Sequence, residues 1–236
     1  MTNKVFNGSI GYKKLSFLPF NRDFALRESL VKSMQDRGFI THIYCCYSKV
    51  ITGGRELYVL DGQHRALAAQ YLNIPFHVAI LDIEPTTTEE LVNLVAIYNN
   101  TSVCWQLDTY CKAYAILGKP DYVELLRMSK ENGQTVSTVA FLLGGSTCSR
   151  SLSNSTLLKT GMFKIHAKVT AEETLALAKT LDYKMSGRMI MAFHYVRLTK
   201  DNFNFLKFKK EFNKEYKNLK NSKLDDFTDK FIIMGT

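Results

Sequence analysis

The apolar and polar positions of this chain change period about 100 residues in. Over residues 21–38, NRDFALRESLVKSMQDRG, apolar Leu26, Leu30, Val31 and Met34 recur at spacings of four, one and three. That pattern predicts an amphipathic helix, with Gly38 where a helix would stop. Residues 39–47 are rich in aromatic and β-branched side chains and predict a strand. Gly53-Gly54 predicts a turn, LYVL at 57–60 a short apolar strand, and 66–72 a compact helix closed by Asn73-Ile74-Pro75. Residues 76–83 predict another strand. Thr87 and Glu90 are spaced as a capping box for a helix that runs to about Tyr98.

Beyond Asn99 nothing predicts a strand. Helical periods cover 106–117, 121–132, 135–143, 171–181, 187–198, 202–219 and 224–231, with a polar loop over 144–155 and a short segment ending at Gly161. The expected fold class is therefore α/β (α+β) over residues 1–100, followed by an all-helical region over 101–236, with no internal repeat and no low-complexity linker.

Composition adds bounds. With 236 residues, 46% hydrophobic and 22% charged, the chain can bury a core and is not of the disordered class. Its longest apolar runs fall far short of the roughly 20 residues a spanning helix needs, so no membrane is expected. The opening MTNKVFNGSIGYKK has neither the apolar core nor the cleavage pattern of a secretory signal, so the expected location is the cytoplasm. Five scattered cysteines, Cys45, Cys46, Cys104, Cys111 and Cys148, form no C-x-x-C pair and predict reduced thiols rather than a zinc site or disulfide framework. The net charge is +9, and residues 161–236 hold 15 Lys and Arg against 9 Asp and Glu. A basic excess of this kind suits a polyanion partner, and it equally suits a solvated lysine-rich surface.

The candidate chemistry lies at Asp61-Gly62-Gln63-His64-Arg65, directly between the LYVL strand and the next helix. Gly62 permits a tight turn and lets an oxygen-rich ligand approach main-chain amides. The helix start presents free N–H groups and the positive end of its dipole. Arg65 offers a fork of donors matched to phosphate oxygens, and His64 a further donor of tunable charge. Asp61 suits orienting a water or Mg²⁺, or capping the turn.

On both sides the context resembles the ParB/sulfiredoxin superfamily. The matching pieces are Asn21-Arg22, LVKSMQDRG at 30–38, the apolar strand at 40–44, YVLDGQHRALAA at 58–69 and Ile74-Pro75-Phe76, so that the resemblance covers roughly residues 15–83. It implies a ParB N-terminal-like nucleotide-binding domain, with Gly62, Gln63, His64 and Arg65 at the phosphates and the stretch from Gly38 to Thr41 along base and ribose. Sulfiredoxins place a nucleophilic cysteine where this chain has Gln63, so reductase chemistry does not carry over. Partition proteins carry G-E-R-R where this chain has a single Arg65, so CTP specificity and clamp closure do not carry over either. The D-G-Q-H-R form is nearer the ParB-like proteins of phages and mobile elements, regulators of DNA modification, and free-serine kinases.

Three other features bear on function. The stretch 135–165 has the outline of a helix-turn-helix that would bring Arg150 and Lys159 to DNA, with a serine-rich surface loop as the alternative. Phe205, Phe208, Phe212 and Tyr216 recur at three, four and four, the face of a helix that packs inward, leaving Lys207 and Lys210 for solvent or DNA. Trp105, Tyr110 and Tyr114 suit a packed junction, with Asn99 and Asn100 open to nucleotide contact.

These readings imply a nucleotide-binding, DNA-associated protein, taking a nucleoside triphosphate (CTP or ATP) with Mg²⁺ as an option, and a homodimer as another. If phage-encoded, it would work in the host cytoplasm. One alternative is an NTPase, nuclease or small-molecule kinase in which Asp61, His64 and Arg65 are catalytic and Asp61 is the metal ligand. Another is a non-catalytic interaction protein that antagonises a host system.

Overall fold

The LYVL run is uninterrupted by polar residues because both faces of its strand are covered. Leu57, Tyr58, Val59 and Leu60 are all at most 5% exposed, the pattern of a strand with helices on either side. The computed structural model describes residues 5–9, 14–21, 25–38, 41–99, 105–145, 153–219 and 224–236. The chain divides into two compact units, Met1–Lys119 and Pro120–Thr236.

In the first unit the elements are β1 (Val5–Ser9), β2 (Ser16–Phe17), α1 (Glu28–Arg37), β3 (Ile43–Ser48), β4 (Glu56–Asp61), α2 (Gln63–Leu72), β5 (His77–Leu81), α3 (Thr88–Asn99) and α4 (Leu107–Ile116). The sheet order is β1-β5-β3-β4-β2. β1 runs antiparallel to β5, β3 parallel to β5 and antiparallel to β4, and β2 parallel to β4. On one face Ile43, Cys45, Leu57, Val59 and Val78 pack with Val31 and Met34 of α1 and with Ala66, Ala68 and Ala69 of α2. The three alanines leave no room to spare: each is fully buried, and their small side chains bring the α2 backbone close to the sheet. α3 packs against β4, and Tyr44 of β3 meets Tyr98 of α3 with ring centroids 5.2 Å apart.

Sequence and structure differ at three places in this unit. α1 begins at Glu28 rather than near residue 21, and Leu26, assigned to its apolar face, is 40% exposed ahead of the helix. β1 and β2 had no signal in the sequence, because VFNGS holds two apolar residues and then a turn-forming triplet. The cap of α3 is also shared out: Thr87 Oγ1 accepts from the Glu90 N–H (3.2 Å), while the Glu90 carboxylate reaches back to the N–H of Thr86 (2.8 Å) instead of Thr87.

The second unit is helical throughout its described residues: α5 (Pro120–Asn132), α6 (Val136–Leu143), α7 (Ser153–Thr160), α8 (Lys168–Lys179), α9 (Gly187–Thr199), α10 (Phe205–Leu219) and α11 (Leu224–Gly235). Pro120 opens α5 at the position where a missing N–H costs nothing. Thr135 and Ser186 cap α6 and α9 through their side-chain oxygens. The aromatic stripe of α10 faces inward as its spacing required. Phe208 and Phe212 are fully buried and meet Phe231 of α11 at 5.1 and 5.9 Å, and Phe208 stacks on Phe193 of α9 at 4.9 Å.

Burial pushes the thiols of Cys45, Cys46 and Cys111 up to about 12, so all three stay protonated and unreactive near neutrality. Cys104 and Cys148 lie outside the described residues. Among the described residues no helix is long and apolar enough to cross a membrane.

Candidate functional site

An irregularity in the β3–β4 ladder shapes the end of β4. Cys45 faces Val59, but the next pair is Tyr44 with Asp61, so Leu60 is an extra residue on β4. A bulge of this kind leaves one backbone carbonyl without its ladder partner. Asn99 supplies it: Nδ2 donates to the Leu60 carbonyl (2.7 Å) and to Val95 (2.9 Å) from a side chain only 9% exposed. Asn99 therefore anchors the strand end to α3. Asn100 lies outside the described residues.

Past the bulge the chain turns in a single residue. Gly62 has φ 97° and ψ 15°, a left-handed conformation that side chains disfavour, and it is the N-cap of α2. A Cβ built there would lie 2.9 Å from Arg65 Nη2, 3.1 Å from Nε and 3.3 Å from the Ile43 Cα. The guanidinium of Arg65 thus lies folded over the glycine, in space that only the absence of a side chain provides. Its Nη2 donates to Asp61 Oδ2 (2.7 Å) and its Nη1 to Thr41 Oγ1 (2.9 Å). Nε is buried and meets no acceptor. Both charged side chains keep partial contact with solvent, 28% for Arg65 and 27% for Asp61.

His64 is held differently. Its Nδ1 lies 2.9 Å from the Ala25 carbonyl, and since a carbonyl only accepts, Nδ1 carries the proton. Nε2 is buried without a partner, and it can donate to an anion only as imidazolium. Gln63 is 6% exposed at the first turn of α2, so its side chain is packed into the fold. Gly38 (φ 73°) closes α1, its N–H already bonded to Met34 (2.9 Å), and Thr41 three residues on is exposed apart from its bond to Arg65.

The residues anticipated at this site therefore fall into two groups. Asp61, Gly62, Arg65 and Thr41 come together around one guanidinium. His64 and Gln63 are tied into the fold beside it. The chemistry suits a phosphate that displaces or shares the guanidinium: a cation at the positive end of α2, a buried Nε without an acceptor, and a glycine that adds no side chain of its own to the turn. Among the described residues no group of three or more His, Cys, Asp or Glu side chains is arranged to hold a metal ion. The Asp61 carboxylate, the candidate metal ligand, is engaged by Arg65.

In the second unit Lys159 is exposed on α7, and Lys207 and Lys210 are exposed on α10. Arg150 lies outside the described residues. Lys207 shares a groove with Glu211, Glu215 and Lys230, so the charge there is mixed. α6 and α7 are separated by nine residues, 144–152, against the three or four of a compact helix-turn-helix. Seven of the eight residues of α6 are buried. Trp105, Tyr110 and Tyr114 are buried in the first unit, with Trp105 edge-on to Tyr110 at 5.1 Å.

No family model matches the chain, and no curated protein matches it. Among solved structures, a Pnob8-like ParB-N domain aligns over 98% of both chains, with 11% sequence identity and a TM-score of 0.41. A likeness of that size does not bear on what the chain does.

Proposed function

We propose that the strand–turn–helix at 57–72 binds the phosphates of a nucleoside triphosphate, CTP or ATP, and that the protein works in association with DNA, as ParB-like proteins of phages and mobile elements do. One observation carries the reading. Arg65 lies over a left-handed glycine at the positive end of α2, with a buried Nε that has no acceptor. Arg65 would grip the phosphates, the first-turn amides of α2 would share them, and His64 would add a donor when protonated.

Calorimetry of CTP and ATP binding tests this. Arg65→Ala should weaken the preferred nucleotide by about 10- to 150-fold, the worth of a charge-assisted contact of roughly 1.5–3 kcal/mol. Its melting temperature should move little, because ion pairs that keep contact with solvent contribute little to stability. Equal affinity in variant and parent would end the assignment.

The DNA association has its own test in the full chain. The double variant Lys207→Glu, Lys210→Glu should flatten the dependence of log affinity on log salt by about 2, if each lysine neutralises one phosphate. An unchanged slope would make these lysines a solvated face and no more.

A further inference from the structure

We infer that Asp61 is a latch that parks Arg65, so that it opposes phosphate binding instead of assisting it. The inference rests on the phosphate-site reading above and specifies how that site is regulated. Three features of the geometry lead to it. The Asp61 carboxylate occupies Nη2 of Arg65 at 2.7 Å, a terminal donor that a phosphate would otherwise use. Thr41 takes Nη1 at 2.9 Å, which fixes the guanidinium in the parked orientation over Gly62. Asp61 and Arg65 sit on opposite sides of a one-residue turn, at the end of β4 and in the first turn of α2, four residues apart.

An incoming phosphate must therefore displace a carboxylate of like sign, or share the guanidinium with it. Either way the ligand-free state is stabilised relative to the bound one. The partial exposure of the pair sets the scale: the latch is strong enough to hold Arg65 in place and weak enough for a polyphosphate to open. A ligand with several charged oxygens competes better than one with a single phosphate, so the latch also discriminates triphosphate from monophosphate.

A four-protein cycle tests it, using parent, Asp61→Asn, Arg65→Ala and the double variant, with CTP, ATP and inorganic pyrophosphate as probes in EDTA. Asp61→Asn keeps the shape of the turn and removes the charge. It should bind about three- to tenfold more tightly than the parent, with the gain shrinking as salt rises. In the Arg65→Ala background the same substitution should give little or no gain, since there is no guanidinium left to release. An equal gain in both backgrounds would reduce Asp61 to simple repulsion and overturn the latch. Weaker binding by Asp61→Asn, with Arg65→Ala also weak, would overturn the latch while leaving the phosphate site standing. If the parent binds none of the probes, or Arg65→Ala matches it, the site itself fails and the latch with it. Should Asp61→Asn fold poorly, Asp61→Ser carries the same comparison.

Discussion

Gly62→Val should both destabilise the first unit, by roughly 3 kcal/mol, and abolish phosphate binding. The stability loss has two sources. A left-handed conformation costs an L-residue about 1–2 kcal/mol, and a β-branched side chain more. The new Cβ would also press on the Ile43 Cα at 3.3 Å, and a backbone atom in the central strand cannot move aside as a flexible side chain can. The binding loss comes from the other contacts. The Cβ would stand 2.9 Å from Nη2 and 3.1 Å from Nε of Arg65, so the guanidinium must leave its place over the turn. Gly62→Ala carries the same Cβ without the branch: it should cost roughly 2 kcal/mol, the left-handed backbone together with the tight Ile43 contact, and still displace Arg65. Urea denaturation and nucleotide calorimetry on the two variants measure each part. An alanine variant of parental stability would mean that the turn is not strained as its φ indicates.

The second large effect is acid destabilisation of the helical unit through His194. This side chain is fully buried on α9, edge-on to Phe141 at 6.2 Å. Its Nδ1 lies 2.8 Å from Thr174 Oγ1, which also receives Arg197 Nη2 (3.1 Å) and lies 2.9 Å from the Thr170 carbonyl. One hydroxyl proton serves one acceptor. Given to Thr170, it leaves the oxygen to accept from both Arg197 and His194, which puts a proton on Nδ1; Nε2 is buried with no acceptor for a second proton, so the imidazole is neutral. Burial above all, and then the neighbouring Arg197 charge, lowers the His194 pKa from 6.5 to about 4. A depressed folded value means that the unfolded chain binds the proton first. The associated stability is present above pH 6.5 and is lost as pH falls from there toward 4, about 3 kcal/mol in all. Glu124, held down to about 2 chiefly by its hydrogen bond to Arg127, titrates in a lower window, between 4.5 and 2. Urea midpoints followed at pH 7, 5.5 and 4.5 should fall steadily in the parent and stay nearly level in His194→Gln. Parallel decline in both proteins would place the acid sensitivity elsewhere.

Much of this fold was legible because it is local. The helices of the second unit follow apolar spacings, with caps such as Thr135 and Ser186 and turn glycines such as Gly133 and Gly161 between them. α2 and its glycine were legible for the same reason. What the sequence hid depends on partners far away. Val5 and Phe6 become a strand because β5 offers an edge, and nothing within VFNGS itself asks for one. The tie from Asn99 to Leu60 spans 39 positions and answers a bulge that no local pattern announces. The pairing of Asp61 with Arg65 is the instructive case. Opposite charges four apart were visible, yet each was assigned its own role toward a ligand. Only the folded-back guanidinium reveals that the two engage each other first.

The outer position of β1 has a consequence during synthesis. Asn7 pairs with Ala79, so at ribosomal rates β1 emerges about 4 to 15 seconds before the strand it completes. Until the two meet, β5 presents an open row of N–H and C=O groups, and β1 is a loose strand with matching register. Neighbouring nascent chains on one message bring such pieces close together, and an exposed edge does not distinguish its own strand from a sibling's. Strand exchange between copies is thus the misassembly expected of this topology. It should rise with translation density and fall when β1 is tethered to its own β5.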